Sequence, residues 1–308
     1  MSLTSFIKIP EVSAKFRSEF KLSSVKLEGE IKAPPVTTNY SLVGTAFDYL
    51  MRFYLERINK NAIADQWVAE NSVDMLNKMS KVVKNKFSNM PNDLGLSPEK
   101  QKLIEKMRDL ASEIITASKK MSDLLREAES THEIYMKKGE FDDNVIKTSV
   151  VLAQMDGFYR SGSIHPKLGF VEEGDITDLR NLISLVNQKT FKSKNLCLLN
   201  PTFGYGSTLV GGADADLIID DTLIDIKTTK YLSFSQEHYN QLIGYYILSK
   251  LGKINDSMEV PISKLGIYFS RHGILHTISS YEIENNINFP KFVKWFEKVR
   301  SRCLENNE

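Results

Sequence analysis

Residues 211–230, GGADADLIIDDTLIDIKTTK, decide how this chain folds. Two runs rich in leucine and isoleucine flank the Asp-Asp-Thr segment at positions 220–222, and these three residue types suit a tight turn. The stretch therefore predicts two β-strands that are joined as a hairpin.

Charged side chains lie at alternate positions of these two apolar strands. Because alternate side chains share one face of a strand, we expect Asp214 and Asp216 to point the same way, and likewise Asp225 and Lys227 on the next strand. The hairpin would bring Asp216 close to Asp225. Carboxylates and a lysine embedded in apolar strands are costly unless they bind something, so these residues are candidates for a functional site.

A divalent cation would explain two carboxylates that face each other, because without one each carboxylate raises the pKa of the other. Mg²⁺ prefers oxygen ligands and retains several waters, so Asp216, Asp225 and the backbone carbonyl of Ile226 form a suitable set, for Mg²⁺ or Mn²⁺. Lys227 would lie beside the metal, where it could position or deprotonate an attacking water or stabilise charge on a phosphate. The five histidines lack the spacing of a zinc site.

The C-terminal third of the chain alternates strands and helices. Strands are predicted at 195–200, 208–220, 222–228, 264–270 and 274–280, and helices at about Ser235 to Lys250 and Pro290 to Cys303. Helical periodicity dominates from about Ser41 to Arg160. This order predicts an α/β protein with a large N-terminal helical region, divided into an extension at 1–40, a helical region at 41–190 and a mixed-sheet core at 191–308.

Composition excludes few classes of function. The net charge of +1 does not argue against a nucleic-acid partner, because a local basic path can guide phosphates without changing the total. Two cysteines, Cys197 and Cys303, cannot supply the four thiolates of an iron–sulfur cluster. The sequence has no secretory signal pattern and no apolar run that could cross a bilayer, so we expect a cytoplasmic protein without a membrane partner.

An acidic residue, a hairpin and a D-x-K tripeptide, here Asp216 and then Asp225-Ile226-Lys227, resemble the active-site motif of the PD-(D/E)XK nuclease superfamily. The proline of the family name is absent, since Ala215 precedes Asp216. The resemblance implies a restriction-endonuclease-like core, a mixed sheet flanked by helices. Asp214 is the alternative motif aspartate or a supporting residue; the spacing to Asp225 favours Asp216.

Two further matches resemble the RecB-like and CRISPR-associated branch of this superfamily. Gln241-Leu242-Ile243-Gly244-Tyr245 is similar to its Q-x-x-x-Y motif, whose glutamine and tyrosine face the active site. Gly44-Thr45-Ala46-Phe47-Asp48 is similar to its G-T-x-x-H helix, with Asp48 in place of the metal-binding histidine. The resemblance covers residues 42–56 and 209–247. The cysteines of the iron–sulfur relatives are missing.

Several assignments remain open at the level of sequence. Asp48 is equally suited to an ion pair with Arg52 one helical turn away. If Asp48 does not supply the acid of the G-T-x-x-H motif, which comes first along the chain, Asp175 and Asp178 are the alternative source. A preference for negative charge at a helix N-terminus also explains these two acids. Arg271, in a predicted turn, could reach a phosphate. Gln241 and Tyr245 could simply pack in the core.

The resemblance implies a Mg²⁺- or Mn²⁺-dependent deoxyribonuclease that acts on single- or double-stranded DNA. An RNA-directed nuclease with the same site, and a non-catalytic scaffold that binds nucleic acid, are the alternatives. The sequence leaves endonuclease or exonuclease action, strand preference and oligomeric state open, and repair, mobile-element and phage-defence roles would all fit.

Overall fold

The computed structural model describes residues 2–87 and 97–305, with side chains up to position 299. Within these residues the chain forms a mixed α/β fold. Its strands are β1 (Ala62–Ala64), β2 (Cys197–Leu199), β3 (Leu217–Ile219), β4 (Thr222–Lys227), β5 (Lys264–Phe269) and β6 (Ile274–Ser279). Its helices are α1 (Leu3–Ile7), α2 (Pro10–Glu19), α3 (Tyr40–Ile58), α4 (Val68–Phe87), α5 (Pro98–Lys138), α6 (Asp143–Ser161), α7 (Glu173–Ser184), α8 (Gln188–Phe191), α9 (Tyr205–Leu209), α10 (Gln236–Leu251), α11 (Ser280–Glu284) and α12 (Phe289–Glu305).

The chain divides into two compact units. The sheet unit comprises Met1–Pro35, Tyr54–Asp65 and Asn181–Glu308, and the helical unit comprises Val36–Phe53 and Gln66–Arg180. This division differs from the predicted one in three places, because residues 1–35, Tyr54–Asp65 and residues 181–190 belong to the sheet unit. Residues that were set apart as an extension at 1–40 belong in large part to the sheet unit, because α1 and α2 bury apolar side chains in its core.

The sheet has six strands in the order β1-β2-β3-β4-β5-β6. Its ladders are mixed: β1 pairs parallel with β2, β4 pairs parallel with β5, and the other neighbours are antiparallel. The predicted mixed sheet flanked by helices is thus confirmed. The sequence did not reveal β1, which has only three residues and pairs with a strand far along the chain.

One predicted strand is wrong at its start. Thr208 and Leu209 end α9 instead of beginning a strand, and the extended chain resumes only after Gly211 and Gly212, which both have positive φ. Close packing explains the helix, because a Cβ on Gly206 would lie 2.6 Å from the carbonyl oxygen of Leu248 in α10. A glycine turn into α9 therefore interrupts the apolar run that resembled a strand.

The core of the sheet unit joins the N-terminal helices to the C-terminal one. Phe6 of α1 packs edge-on against Phe296 of α12, with ring centroids 5.1 Å apart, and Phe16 of α2 packs in the same way on Phe292 at 4.9 Å. All four rings are buried. Burial of one such side chain stabilises a fold by about 1.5–3 kcal/mol, so the N-terminal segment is an integral part of this unit.

The helical unit is built around α3, α4, α5 and α6. Tyr49 donates a hydrogen bond to buried Asp156 at 2.6 Å, which ties α3 to α6. Ser97 is the N-cap of α5, without a side-chain capping hydrogen bond, and Pro98 is its first residue, a position that suits proline. Gly139, with a φ of 83°, ends the same helix in the left-handed conformation. Among the described residues, no helix is both long enough and apolar enough to span a bilayer.

Candidate active site

The turn between β3 and β4 sets the register of the hairpin. Asp220 occupies it with a φ of 52°, which aspartate tolerates better than most residues, and its carboxylate accepts hydrogen bonds from the backbone amides of residues 194–196. Burial works to raise the pKa of Asp220, but these backbone donors outweigh it and lower the pKa below its usual value. The predicted tight turn is confirmed, and Leu217 pairs with Ile224 across the hairpin.

Asp225 and Lys227 form an ion pair at the end of β4. Asp225 is buried, whereas the side chain of Lys227 is 28% exposed, and Lys227 Nζ lies 2.7 Å from Asp225 Oδ2. Their contact across one intervening residue confirms that the two side chains share a face of the strand. The contact lacks the alignment of a hydrogen bond, and Oδ2 accepts none from the described residues. Asp225 Oδ2 can therefore accept a further positively charged partner.

Helix α10 covers this face of β4 with Gln241 and Tyr245. The Gln241 side-chain amide lies 2.9 Å from Asp225 Oδ1, to which it donates, and 3.0 Å from the Tyr245 hydroxyl oxygen. Burial raises the pKa of Tyr245 well above its usual value, and the negative charges of Asp225, Asp216 and Asp214 add to this effect. The tyrosine is therefore a neutral phenol that faces a group of carboxylates.

Asp216 lies immediately before β3, beside the residues that follow Asp225. Its Oδ2 accepts a hydrogen bond from the backbone amide of Ile226 at 2.5 Å. Asp214 forms an isolated bridge with Thr202 and, like Asp216, is partly exposed, while Ala215 between them is buried. The predicted alternation thus holds, and the hairpin brings Asp216 to the same strand segment that carries Asp225.

His238 is a neighbour of this group that the sequence analysis missed. It lies one turn before Gln241 on α10, and its ring forms a reciprocal capping box with Ser235. Burial lowers the pKa of His238, and the positive charge of Lys227 lowers it further. The signal in the sequence was its spacing, because positions 238, 241 and 245 share one face of a helix.

The oxygen atoms here suit a hard cation. Asp216 and Asp225 contribute carboxylates, Asp225 Oδ2 has spare acceptor capacity, and the carbonyl of Ile226 belongs to the residue that follows Asp225. Within the described parts of the chain, no three His, Cys, Asp or Glu side chains gather as a ready metal-binding group. Two carboxylates and a carbonyl nevertheless match Mg²⁺, which completes its octahedral shell with waters and substrate oxygens.

The candidates for the acid of the G-T-x-x-H motif all belong to the helical unit: Asp48, Asp175 and Asp178. Asp48 belongs to the helical unit, where its carbonyl oxygen accepts a hydrogen bond from Arg52 Nε at 3.3 Å, and its role as a metal ligand stays a prediction. Asp175 is buried and holds the side-chain amide of Asn39 with both oxygens at 3.1 Å. Asp178 accepts the backbone amide of Val36. These last two contacts anchor residues 36–39 to α7.

Arg271 is buried and makes contacts that stabilise the fold. It is 1% exposed, its Nη1 donates to the carbonyl of Ala33 at 3.0 Å, and its own carbonyl accepts the backbone amides of Lys32 and Ala33. The sequence had suggested a phosphate contact from an exposed turn. The arginine instead fastens the segment at 32–33 to the turn after β5.

Cys197 is also structural. It is buried on β2, and burial raises the pKa of its thiol to about 12, so it does not act as a nucleophile at neutral pH. The side chain of Cys303 lies outside the described side chains.

Comparisons with models of protein families, with curated proteins and with solved structures found no match for this chain.

Proposed function

We propose that this chain is a Mg²⁺- or Mn²⁺-dependent deoxyribonuclease of the PD-(D/E)XK type. One observation carries the proposal: the buried carboxylate of Asp225 is held by Gln241 at one oxygen and paired with Lys227 at the other. Removing a carboxylate from water costs several kcal/mol, and a chain that needed only stability would place apolar side chains there. Buried ionisable groups that pair with a partly exposed cation occur at catalytic sites, and this supports the proposal.

The topology around this carboxylate supports a restriction-endonuclease-like core. The acid-bearing β3–β4 hairpin lies inside a mixed sheet, and the strand after it, β5, runs parallel to β4 through the crossover helix α10. Gln241 and Tyr245 lie on that helix, so one crossover supplies both residues of the Q-x-x-x-Y motif to the strand that carries D-x-K.

Asp216, Asp225 and the carbonyl of Ile226 would hold the divalent cation. The bound cation would lower the pKa of a coordinated water and offset charge on the scissile phosphate. Gln241 keeps the Asp225 carboxylate in one orientation, since its amide donates to Oδ1. Lys227, tethered to the same carboxylate, holds the attacking water or a phosphate oxygen in place.

The reaction is a hydrolysis and needs no co-reactant besides water. A water oxygen forms a bond to phosphorus, one phosphodiester P–O bond breaks, and the leaving oxygen takes up a proton from solvent. The proton lost by the water passes to Lys227 if its amine is neutral, or to solvent if Lys227 is an ammonium that stabilises the phosphate charge.

The segment after β4 offers contacts for a nucleic acid. Tyr231 is 64% exposed, and Lys230 Nζ lies 5.1 Å from the centre of its ring. An exposed aromatic face beside a cation can stack on an unpaired base while the cation contacts a phosphate. Both residues follow Lys227 within four positions, so such contacts would lie near the scissile bond.

A cleavage assay tests the proposal against its alternatives. The purified chain is incubated with single- and double-stranded DNA and RNA, linear and circular, with Mg²⁺, Mn²⁺ or EDTA. We expect metal-dependent cleavage of DNA by the wild type and none by Asp225→Asn. Cleavage of RNA alone would establish the RNA-directed alternative. Binding of nucleic acid without cleavage under any of these conditions would favour the scaffold alternative.

A further inference from the structure

Helix α5 exposes a stripe of apolar side chains along one face. Leu103, Met107 and Leu110 are 59%, 40% and 57% exposed, and half-buried Ile114 continues the series. The spacing of four, three and four residues is that of the core positions of a coiled coil. Helix α4 packs against α5 and carries a second series with the same spacing. We call Leu103, Met107 and Leu110 the apolar stripe; Met75, Met79 and Val82 are the exposed apolar residues of the second series on α4.

Charged residues flank the stripe on α5 with a regular alternation of sign. Glu99, Lys106, Glu113 and Lys120 are exposed and recur every seven residues, so they line one side of Leu103, Met107 and Leu110. Lys106 and Glu113 make no ion pair within the described parts of the chain. On the other flank of these apolar residues Ala111 is buried, so the flank that carries the charged residues is the one accessible to a partner.

The alternation of negative and positive charge along α5 favours a second copy of the same helix, in antiparallel orientation, as the partner. In that arrangement the flanking position of one helix faces the same position of its partner, so Lys106 of each copy meets Glu113 of the other, and Glu99 meets Lys120. Each pair joins opposite charges. A parallel partner would place the buried Ala111 side against these charges and leave them without partners.

Two independent features agree on the centre of such a pairing. The apolar series from Leu103 to Ile114 is centred between residues 108 and 109, and the charge series from Glu99 to Lys120 between residues 109 and 110. The two centres lie one residue apart, about 1.5 Å along the helix, so a twofold axis near residue 109 brings apolar residues onto apolar residues and cations onto anions at once. We infer that the chain forms a homodimer through the apolar stripe, with the two α5 helices antiparallel.

The size of the surface sets the expected strength. A surface this small lies at the weak end of specific interfaces, which bury about 1,000 Å² or more, so we expect a dissociation constant on the order of micromolar or weaker. The inference does not depend on nuclease activity, because none of the stripe residues belongs to the candidate active site.

Sedimentation velocity of the full chain tests the inference at low and at high salt. The protein concentration runs from about 1 to 100 µM, which covers the expected dissociation constant. We expect a concentration-dependent dimer for the wild type. Lys106→Glu and Glu113→Lys should each weaken it about three- to tenfold, since each replaces attraction by repulsion at two pairs. Leu110→Glu should abolish it, and its exposure means that the fold survives. Glu105→Lys and Lys119→Glu, on the opposite face of α5, are the matched controls.

Mixing provides the decisive result. An equimolar mixture of Lys106→Glu and Glu113→Lys places opposite charges at both 106–113 pairs of a heterodimer, so it should restore wild-type affinity. The double variant should recover the same affinity with itself. A monomer at every concentration overturns the inference, and so does a dimer that ignores these variants. If the chain is monomeric and Lys106→Glu instead weakens binding of a labelled oligonucleotide, the partner of the stripe is nucleic acid and the inference is wrong.

Discussion

The side-chain amide of Gln241 donates a hydrogen bond to Asp225 across the contact between α10 and β4, at 2.9 Å. This bond occupies one oxygen of a buried carboxylate and leaves the other facing Lys227. It joins two residues that are sixteen positions apart, and it converts a helix that covers the sheet into part of the candidate active site. In the proposed reaction we therefore assign Gln241 a positioning role.

Gln241→Ala should lower the cleavage rate about ten- to hundredfold, in keeping with the loss of a residue that orients a metal ligand. The expected signature is a higher Mg²⁺ concentration for half-maximal activity, because the Asp225 carboxylate loses its fixed orientation. Gln241→Glu should be more damaging, since it places a second negative charge beside Asp225. A variant that lowers thermal stability while keeping the wild-type Mg²⁺ dependence would show that Gln241 only packs.

Lys227→Ala should abolish cleavage while substrate binding persists, with a loss of about a hundredfold to ten-thousandfold in rate. The physical reason is that its amine is the partly exposed cation beside the candidate metal site. The variant also leaves buried Asp225 without its ion-pair partner, so a lower melting temperature in the absence of metal is expected. Single-turnover cleavage and oligonucleotide binding by fluorescence anisotropy measure the two effects separately.

Asp225→Asn should also inactivate the chain, but through weakened metal binding. Mn²⁺ should raise the melting temperature of the wild type and of Lys227→Ala more than that of Asp225→Asn, because only a bound ligand stabilises the folded state. Additional Mg²⁺ should partly rescue Asp225→Asn and leave Lys227→Ala inactive. Wild-type cleavage by Lys227→Ala would refute the active-site assignment.

Asp220→Asn should destabilise the β3–β4 hairpin by about 1–2 kcal/mol at neutral pH, since a charged acceptor of backbone amides becomes a neutral one. The pKa of Asp220 is lower in the folded chain than its ordinary value of 3.8, so its charge stabilises the fold above that value. This contribution disappears as the pH falls through the folded-state pKa. Urea unfolding from pH 7 to pH 2 should therefore show the difference between the two proteins shrinking as the pH falls below 3.8.

The control for that measurement is Glu28→Gln, at a side chain that is 82% exposed. It should shift the urea midpoint little at any pH. A constant difference between Asp220→Asn and the wild type down to pH 2 would mean that the substitution acts through the turn conformation and not through charge.

Gly252→Ala should destabilise the chain by roughly 2–4 kcal/mol through steric overlap. A Cβ there would overlap the carbonyl oxygen of Phe203 and lie 2.7 Å from the backbone nitrogen of Gly206, and neither backbone atom can move aside cheaply. Gly157→Ala is the matched control, because its Cβ would meet only a carbonyl at 3.7 Å and alanine favours the helix α6. Equal urea midpoints for the two variants would show that the approach of α9 to α10 is looser than described.

Much of the sheet could be predicted from local pattern. The β3–β4 hairpin follows from apolar alternation and from aspartates at the turn, and α10 follows from helical periodicity. Local signals were insufficient at residues 208–209, where close packing of Gly206 on α10 selects a helix. They were insufficient also at β1, whose three residues become a strand only by pairing with β2.

The sequence by itself determined which residues share a face, because side chains alternate along a strand and recur each turn along a helix whatever surrounds them. That rule paired Asp225 with Lys227, whereas Gln241 and Tyr245 were paired by the resemblance to the Q-x-x-x-Y motif. Only the tertiary structure decided which of these faces meet: Gln241 donates to Asp225, Arg271 is buried against Ala33, and α1 and α2 complete the core beside α12. Such contacts depend on the packing of segments that are distant along the chain, and no local periodicity encodes that packing.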